Sequence, residues 1–345
     1  MKALIWDKDG SVELVQKDYP KIQNQNDAIV KVELSSICTS DLHIIKGYVP
    51  RAIPGTVLGH EFVGEVVEVG SGIKNLKPGD RVAANCETFC GECYFCKRGF
   101  INNCPNGGWE LGCTIDGCQA EYVRVPYADC GLTKLPDNVS YKNALFVGDI
   151  LSSGYWGAEL CKIKPQDTVA VIGAGPVGLC AMLSARTMNA EKIIAIDTDD
   201  YRLNLAKTQR LADVVINPDN TNVETVIKEL TEKRGADCVI EAAGGKNTLQ
   251  MSWQIARANA IVAVVAMYEE NQILPLPQMY GKNLIFKTGG VDAIHCDKLV
   301  KLISEGKINT DFLISATLPL ENIKEAYKIF EQKQNNCLKI AIKTE

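Results

Sequence analysis

The segment Thr168-Val-Ala-Val-Ile-Gly-Ala-Gly-Pro-Val-Gly178 joins an apolar, β-branched run to a stretch of helical composition. Its glycines, Gly173, Gly175 and Gly178, form the pattern Gly-x-Gly-x-x-Gly, with Pro176 and Val177 between the last two. Such glycines permit a tight turn and let a pyrophosphate approach the free amides at the helix amino terminus. We predict a dinucleotide site here, and a glycine-rich turn without a ligand is the alternative.

Further apolar runs follow this segment, separated by stretches of helical composition. They are Lys192–Ile196, Val214–Ile216, 238–240 and 260–266. Alternation of strands and helices is typical of βαβ units. Residues 151–289 are therefore predicted to form an α/β nucleotide-binding domain, with a doubly wound parallel sheet covered by helices on both faces.

The residue that follows the second run is acidic. Asp197 comes directly after Lys192–Ile196. A carboxylate at this place can accept hydrogen bonds from the adenosine ribose hydroxyls, and it would repel a phosphate on the 2′ oxygen. We therefore expect NAD as the cofactor and not NADP.

The first part of the chain has a different texture, with short β-rich segments punctuated by glycine. Examples are 28–34, Phe62–Val69 and Arg81–Ala84. After about residue 290 the pattern becomes helical and ends on an apolar run at 338–342. We expect residues 1–150, completed by 290–345, to form a second, β-rich domain in which the last strand rejoins the first segments.

Composition excludes several classes of function. The 345 residues are 46% hydrophobic and 23% charged, with a net charge of −5 and no long basic run. This balance is that of a globular protein without a nucleic-acid partner. No segment reaches the length of a signal peptide or a membrane span, so we expect a cytoplasmic protein whose 14 cysteines are reduced thiols or metal ligands.

Four of the cysteines lie in one short loop, Cys90-Gly-Glu-Cys93-Tyr-Phe-Cys96-Lys-Arg-Gly-Phe-Ile-Asn-Asn-Cys104. Four thiolates on a flexible segment close the coordination sphere of a tetrahedral zinc, which predicts a structural metal. Free thiols, two disulfides or an iron–sulfur cluster are the alternatives, and Pro105 after the last cysteine is a feature of the cluster motif.

A second metal site is predicted from Cys38 and His60, since the chain has only three histidines. With an oxygen ligand, a thiolate and an imidazole would hold zinc through three protein atoms and leave the fourth position open for catalysis. Taken alone, each residue is equally consistent with ordinary burial in a core.

Two motifs, Cys38-Thr-Ser-Asp-Leu-His43 and Gly59-His60-Glu61-Phe-Val-Gly64, resemble those of the zinc-containing alcohol dehydrogenases of the medium-chain type. With the cysteine loop and the glycine segment, the resemblance runs from end to end. It implies a GroES-like catalytic domain, a Rossmann nucleotide domain, an oxidoreductase with two zincs per chain and NAD, and a homodimer or homotetramer.

The resemblance implies that Cys38 and His60 bind the catalytic zinc. The third ligand would be Asp149, where many members have cysteine; microbial secondary-alcohol dehydrogenases and some formaldehyde dehydrogenases have aspartate there. Glu61 is either an additional ligand or a carboxylate beside the site. By the same resemblance Ser40 hydrogen-bonds the alcohol oxygen and His43 takes the proton.

The resemblance also covers residues around these. Asp41 would accept a hydrogen bond from His60, or else be a solvated carboxylate, and Arg202 would contact the adenosine ribose, or else lie on a solvated helix face. Trp109 and Tyr268 match substrate-pocket positions of the secondary-alcohol dehydrogenases, although ordinary packing would also explain such aromatic residues.

A small, secondary alcohol and its ketone are therefore the expected substrates. A polyol dehydrogenase of the same family is one alternative, and it would require polar groups in the pocket. An NAD-binding protein without catalysis is the other, because a fold alone does not establish chemistry.

Overall fold

The computed structural model describes residues 1–344. These form two compact units, one made of residues 1–152 and 292 onward, the other of Ser153–Val291. The strands are β1 (Lys2–Trp6), β2 (Val12–Gln16), β3 (Ala28–Ser36), β4 (Phe62–Val69), β5 (Arg81–Ala84), β6 (Tyr122–Val125), β7 (Leu132–Lys134), β8 (Thr168–Ile172), β9 (Lys192–Ile196), β10 (Val214–Ile216), β11 (Ala236–Glu241), β12 (Ala256–Val264), β13 (Ile285–Thr288), β14 (Ile314–Pro319) and β15 (Lys339–Lys343).

Helices are shorter and fewer in the first unit. They are α1 (Thr39–Ile45), α2 (Ala128–Gly131), α3 (Tyr141–Ala144), α4 (Ile150–Leu160), α5 (Pro176–Thr187), α6 (Asp200–Thr208), α7 (Val223–Leu230), α8 (Thr248–Ile255), α9 (Leu276–Met279), α10 (Cys296–Ser304) and α11 (Ile323–Glu331). Single 3₁₀ turns cover Cys96–Arg98, Ile101–Asn103, Tyr280–Lys282, Asp311–Leu313, Leu320–Asn322 and Gln334–Asn336.

The first unit is built on a sheet of order β14-β15-β3-β4-β5-β7, in which β6 also pairs with β3. All its strand pairs are antiparallel except β14 with β15. β1 and β2 form a separate antiparallel pair. Alternating apolar residues of β3, β4 and β6 bury one face of this sheet in a core.

The second unit has six parallel strands in the order β10-β9-β8-β11-β12-β13. Every residue of β8 is buried, as expected for a central strand whose two faces are both covered. The order reverses between β8 and β11, and this is the point where doubly wound sheets bind their ligands at the carboxyl ends of the strands.

The predicted fold class, a β-rich domain with a doubly wound parallel domain, is confirmed. The segments Phe62–Val69, Arg81–Ala84, Thr168–Ile172, Lys192–Ile196 and Val214–Ile216 are strands with the expected bounds. β12 differs, since it begins at Ala256 and not at 260, because pairing with β11 extends the strand over residues with no apolar alternation. In residues 1–344, we find no helix that combines the length and apolarity needed to cross a bilayer.

Candidate active site

Three side chains of the first unit converge on one point. A thiol, an imidazole nitrogen and a carboxylate oxygen, from Cys38, His60 and Asp149, lie within 4.8 Å of one another. His60 Nε2 is 3.4 Å from Asp149 Oδ2, and Cys38 Sγ is 3.5 Å from the same oxygen. His60 is buried and Asp149 is 14% exposed, so the cluster keeps a restricted opening to solvent. We call these residues the three-donor cluster.

Strand pairing brings the first two donors together. Cys38 caps the amino end of α1 just after β3, and His60 lies just before β4, which is the antiparallel neighbour of β3. The third donor comes from the turn before α4. Gly148 allows the close approach of that turn, because a Cβ there would lie 1.7 Å from the carbonyl oxygen of Ala84.

The cluster fits zinc in both donor type and geometry. With bonds of about 2.1 Å to nitrogen and oxygen and about 2.3 Å to sulfur, a tetrahedral zinc separates its N and O ligands by about 3.4 Å and its S and O ligands by about 3.6 Å. The observed distances from Asp149 Oδ2, 3.4 Å to His60 Nε2 and 3.5 Å to Cys38 Sγ, match these ligand-to-ligand distances. Three donors would leave the fourth position for another ligand.

Charges around the cluster favour a cation. Burial lowers the pKa of His60, but Asp41 and Asp149 together raise it well above its ordinary value. Burial raises the pKa of Asp149, and the His60 imidazole outweighs this and lowers it to about 2. Burial and the Asp149 charge raise the pKa of Cys38. A divalent cation would stabilise the thiolate and the carboxylate together.

The second nitrogen of His60 also faces a carboxylate. His60 Nδ1 is 3.5 Å from Asp41 Oδ1, and Asp41 is fully buried. The other Asp41 oxygen accepts hydrogen bonds from the main-chain N–H of Cys38 and the side chain of Gln119. Asp41 is thus a buried part of the site rather than a solvated loop residue, and one of its oxygens faces the imidazole.

Two further predicted residues lie on α1. Ser40 Oγ is 3.3 Å from Cys38 Sγ, which places a hydroxyl directly beside the three-donor cluster. His43 follows one turn later, is partly exposed, and contacts the ring of Tyr48 edge-on at 6.2 Å between centroids. A hydroxyl at the cluster and an imidazole nearer the solvent are suitable groups for passing a proton outward.

Glu61 lies outside the three-donor cluster and is paired with a lysine that sequence reasoning missed. Lys339 Nζ forms an ion pair with Glu61 Oε2 and donates to the carbonyl oxygen of Ile37 at 2.7 Å. Both charged side chains are buried. Burial raises the pKa of Glu61 to about 7, although Lys339 opposes this. The available signal was a lysine inside the apolar run at 338–342.

The four loop cysteines, Cys90, Cys93, Cys96 and Cys104, form a second group whose sulfur atoms lie within 4.8 Å of one another. Main-chain N–H groups point at them: that of Cys90 donates to Cys104 Sγ and that of Cys96 to Cys93 Sγ. Burial raises the pKa of Cys90, but the N–H groups of Glu92 and Cys93 lower it to about 6. We call this group the four-thiol loop.

The glycine segment of the second unit has the geometry of a dinucleotide loop. Gly173 has a φ of +95°, and a Cβ on Gly178 would lie 1.8 Å from the Gly173 carbonyl oxygen, so both positions require glycine. Gly175 caps α5, and Pro176 and Val177 form its first turn. The free amides of that turn could bind a pyrophosphate.

Asp197 and Arg202 border this loop. Asp197 Oδ2 accepts a hydrogen bond from the main-chain N–H of Ala174 at 2.6 Å, and Oδ1 accepts one from Asp199 at 2.9 Å. Asp199 is the N-cap of α6, so Asp197 links the glycine loop to the start of this helix without capping it. Arg202 Nη1 would lie 3.8 Å from a Cβ on Gly175.

The two predicted pocket aromatics lie in different units. Trp109 packs edge-on against the His60 ring at 5.6 Å between centroids, which puts it at the three-donor cluster. Arg51 donates to its carbonyl oxygen at 2.6 Å. Tyr268 packs on the core of the second unit, and its hydroxyl is 3.0 Å from Thr248 Oγ1.

Comparison with known proteins agrees with this geometry. Residues 24–137 match the alcohol dehydrogenase GroES-like domain, and residues 176–295 match the zinc-binding dehydrogenase domain. An alcohol dehydrogenase from Cupriavidus necator is 35% identical, over 99% of this chain and 98% of that protein. An NADP-dependent isopropanol dehydrogenase from Thermoanaerobacter brockii is 31% identical, over 96% of each.

Among solved structures, the zinc dependent alcohol dehydrogenase 2 from Streptococcus pneumonia superimposes with a TM-score of 0.94. It is 37% identical, and the match covers 100% of this chain and 99% of that one. Sequence and fold therefore agree over the full length of the chain. The chain therefore belongs to the zinc-type, medium-chain alcohol dehydrogenase family of oxidoreductases.

Proposed function

We propose that this protein transfers a hydride between NAD(H) and a small secondary alcohol or its ketone. The observation that carries the proposal is the convergence of Cys38, His60 and Asp149 on one buried point with the edge of Trp109 against the imidazole. The similarity to an isopropanol dehydrogenase supports the substrate class.

In this proposal Cys38, His60 and Asp149 hold the catalytic zinc. Bound there, zinc would supply Lewis-acid polarisation of the alcohol oxygen and lower its pKa. Glu61 lies next to His60 in the chain and is a further candidate ligand if its ion pair with Lys339 opens. The four-thiol loop would hold a second, structural zinc, because four thiolates that lie within 4.8 Å of one another can complete a tetrahedral coordination sphere.

The chain's own residues would move the proton. Ser40 Oγ, 3.3 Å from Cys38 Sγ, is placed to accept the proton of an alcohol that binds at the cluster. His43, one turn later on α1 and partly exposed, would pass it toward solvent. Asp41 would hold the His60 ring in one orientation throughout.

Pocket size would set the preference for small substrates. The large, rigid ring of Trp109 packs against the His60 ring on one side of the cluster. Arg51 donates a hydrogen bond to the main-chain carbonyl oxygen of Trp109 and so fixes its backbone. Tyr268 of the second unit stays a proposed pocket residue by resemblance to the secondary-alcohol dehydrogenases. Large rings leave room for short chains on both sides of a carbinol carbon and none for a long sugar alcohol.

Asp197 would set the preference for NAD. Its carboxylate is held beside the glycine loop by the N–H groups of Ala174 and Asp199. In this place it can accept hydrogen bonds from the ribose, whereas a 2′-phosphate would meet like charge. Arg202 would contact the adenosine ribose, and Gly173, Gly175 and Gly178 would make room for the pyrophosphate.

For the assembly, we propose a catalytic domain of residues 1–150 completed by 290–345, an NAD-binding domain of 151–289, and a homodimer or homotetramer in the cytoplasm. Mass measurement of the native protein would distinguish these oligomers from a monomer.

The test is turnover of the zinc-loaded protein with NAD and a panel of alcohols. We expect kcat/KM for 2-butanol to exceed that for 1-butanol and for sorbitol by at least about tenfold, equivalent to about 1.4 kcal/mol. The highest kcat/KM on 1-butanol or sorbitol, or equal use of NADP, would contradict the proposal.

A further inference from the structure

Glu87 is a buried carboxylate that none of the roles above uses. It follows β5 and is 6% exposed. Its main-chain N–H donates to Asn85 Oδ1 at 2.9 Å. Within the described part of the chain, its Oε2 has no hydrogen-bond partner. A buried carboxylate oxygen without a donor is costly, so its presence needs an explanation.

Main-chain contacts hold Glu87 next to the three-donor cluster on one side. The residue before it, Cys86, donates its main-chain N–H to the carbonyl oxygen of Gly148 at 3.1 Å. Gly148 directly precedes Asp149 in the sequence. The segment that carries Glu87 is therefore bonded to the segment that carries the carboxylate of the cluster.

On the other side, Glu87 lies against the segment of the pocket aromatic. Thr88 and Gly108 exchange two main-chain hydrogen bonds, and a Cβ on Gly108 would lie 3.7 Å from Glu87 Oε2. Gly108 directly precedes Trp109, whose ring contacts His60. The free oxygen of Glu87 thus lies beside the backbone that positions the wall of the alcohol site.

The pKa of Glu87 responds to burial and to charges from both neighbouring segments. Burial raises the pKa of Glu87 to about 8, Asp149 adds to the rise, and His60 and Arg51 oppose it. The Arg51 guanidinium donates to Trp109 O and lies 5.5 Å from the centre of its ring. A hydrogen-bond donor brought by a bound molecule would satisfy the carboxylate.

We propose that Glu87 is a specificity-determining residue that accepts a hydrogen bond from a second donor group of the substrate. The favoured substrates would be small secondary alcohols with a hydroxyl or ammonium group on the carbon next to the carbinol. This rests on the proposed function, since it places the carbinol oxygen at the three-donor cluster. A site built to pair a buried polar group discriminates strongly against an analogue that lacks the donor.

Three alcohols of nearly equal size test this: 2-butanol, 1,2-propanediol and 1-amino-2-propanol. They share a methyl-substituted secondary carbinol and differ only in the terminal methyl, hydroxyl or ammonium group. At about pH 9, above the pKa of Glu87 at about 8, the wild type should use both donor-bearing alcohols with a kcat/KM at least about tenfold above that for 2-butanol.

The variants are Glu87→Leu and the isosteric Glu87→Gln. The leucine variant should lose the preference for both donors and gain on 2-butanol. The glutamine variant, which keeps an acceptor without charge, should keep most of the preference for the diol and lose that for the amino alcohol. The control is Glu110→Gln, whose carboxylate already accepts from Thr88 Oγ1 at 2.7 Å, and its substrate ratios should equal those of the wild type.

Isothermal titration calorimetry of the zinc-loaded enzyme without nicotinamide provides a readout independent of turnover. The wild type should bind 1-amino-2-propanol at least about tenfold tighter than Glu87→Leu does. If 2-butanol is oxidised but both substrate ratios and affinities are unchanged in the Glu87 variants, the inference is overturned and the proposed function stands.

The opposite outcome is also distinguishable. No turnover of any secondary alcohol with NAD or NADP would overturn the proposed function alone. Calorimetry then decides on Glu87. Tighter binding of the amino alcohol by the wild type than by the Glu87 variants supports its role, and equal binding by all of them overturns the inference. Glu87→Gln keeps the shape of the side chain, so the test stands even if the leucine variant fails to fold.

Discussion

The three-donor cluster and the four-thiol loop are both groups of side chains in the first unit that could hold a metal ion, and they are built in opposite ways. The four thiols span residues 90–104, and three of them are partly exposed. The three donors span Cys38 to Asp149, mix sulfur, nitrogen and oxygen, and centre on a buried imidazole. Four donors would close the coordination sphere of a tetrahedral metal, whereas three donors would leave it one ligand short.

This contrast suggests that one unit can use one group of side chains for its stability and another for its catalytic activity. A short loop holds its donors through local turns and main-chain N–H groups, as at Cys90 and Cys96. The cluster depends on strand pairing between β3 and β4 and on the packing of Gly148 against Ala84. We expect perturbation of the loop to change stability first and perturbation of the cluster to change turnover first.

The largest expected effect on turnover comes from the cluster. Asp149→Asn should lower kcat/KM by at least about a hundredfold, because a neutral amide is a weaker ligand than a carboxylate. The affinity for NADH, measured by fluorescence titration, should change less than about twofold. Full activity would show that Asp149 is not a donor. Asp137→Asn, at an exposed position outside the cluster, is the control.

Cofactor selectivity should change without any change in the metal sites. Asp197→Gly combined with Asp199→Arg should move the ratio of kcat/KM values toward NADP by at least about tenfold, or about 1.4 kcal/mol. Both carboxylates also accept main-chain hydrogen bonds, so some loss of stability is expected. The zinc content, by atomic absorption, should stay at the wild-type value. Asp199→Asn alone, which keeps the cap, should retain the NAD preference.

A smaller effect is expected at the outer end of the proton path. His43→Gln should lower kcat by less than about tenfold and change the pH profile, because water can replace a partly exposed proton acceptor. Stopped-flow and steady-state profiles of kcat against pH provide the measurement. The control is His295→Gln at the start of α10, which should leave the profile as in the wild type. A loss as large as that of Asp149→Asn would place His43 in the cluster itself.

The smallest effect on turnover per folded molecule is expected in the four-thiol loop. Cys93→Ser should remove one zinc of two and lower the melting temperature by more than about 5 °C, since a hydroxyl replaces a thiolate poorly. Turnover of the protein that remains folded should stay within about twofold. Cys130→Ser is the matched control, because this thiol lies beside Gly91 but outside the loop's four donors. Equal metal loss in both variants would contradict the assignment.

Elements that depend on residues close together in the sequence were predicted correctly, and elements that depend on pairing with distant strands were not. The bounds of β4, β5, β8, β9 and β10 follow from local apolar patterns, and they match the expectation. The start of β12 at Ala256 does not, since pairing with a neighbouring strand overrides a weak local pattern. In the segment after residue 290, which was expected to be helical, the 3₁₀ turn Leu320–Asn322 precedes the last helix, Ile323–Glu331.

The site divides in the same way. The spacing of Cys90, Cys93, Cys96 and Cys104 alone predicts a group of four thiols, because closely spaced cysteines on one short loop are typical of a structural zinc site. Asp149 entered through resemblance to a family. The only sequence signal of the Glu61–Lys339 pair was a lysine inside an apolar run, and the free oxygen of Glu87 had none.

The sequence by itself determined the order of strands and helices, the glycine loop and the four-thiol loop, because each rests on contacts between residues close in the chain. Only the tertiary structure decided which acidic side chains are buried, which are paired and which keep a free oxygen. Lys339 reaches Glu61 across 278 residues, and Cys38 meets Asp149 across 111. The packing of the whole unit determines burial and pairing between residues so far apart in the sequence. The conformational preference of a local segment therefore cannot predict them.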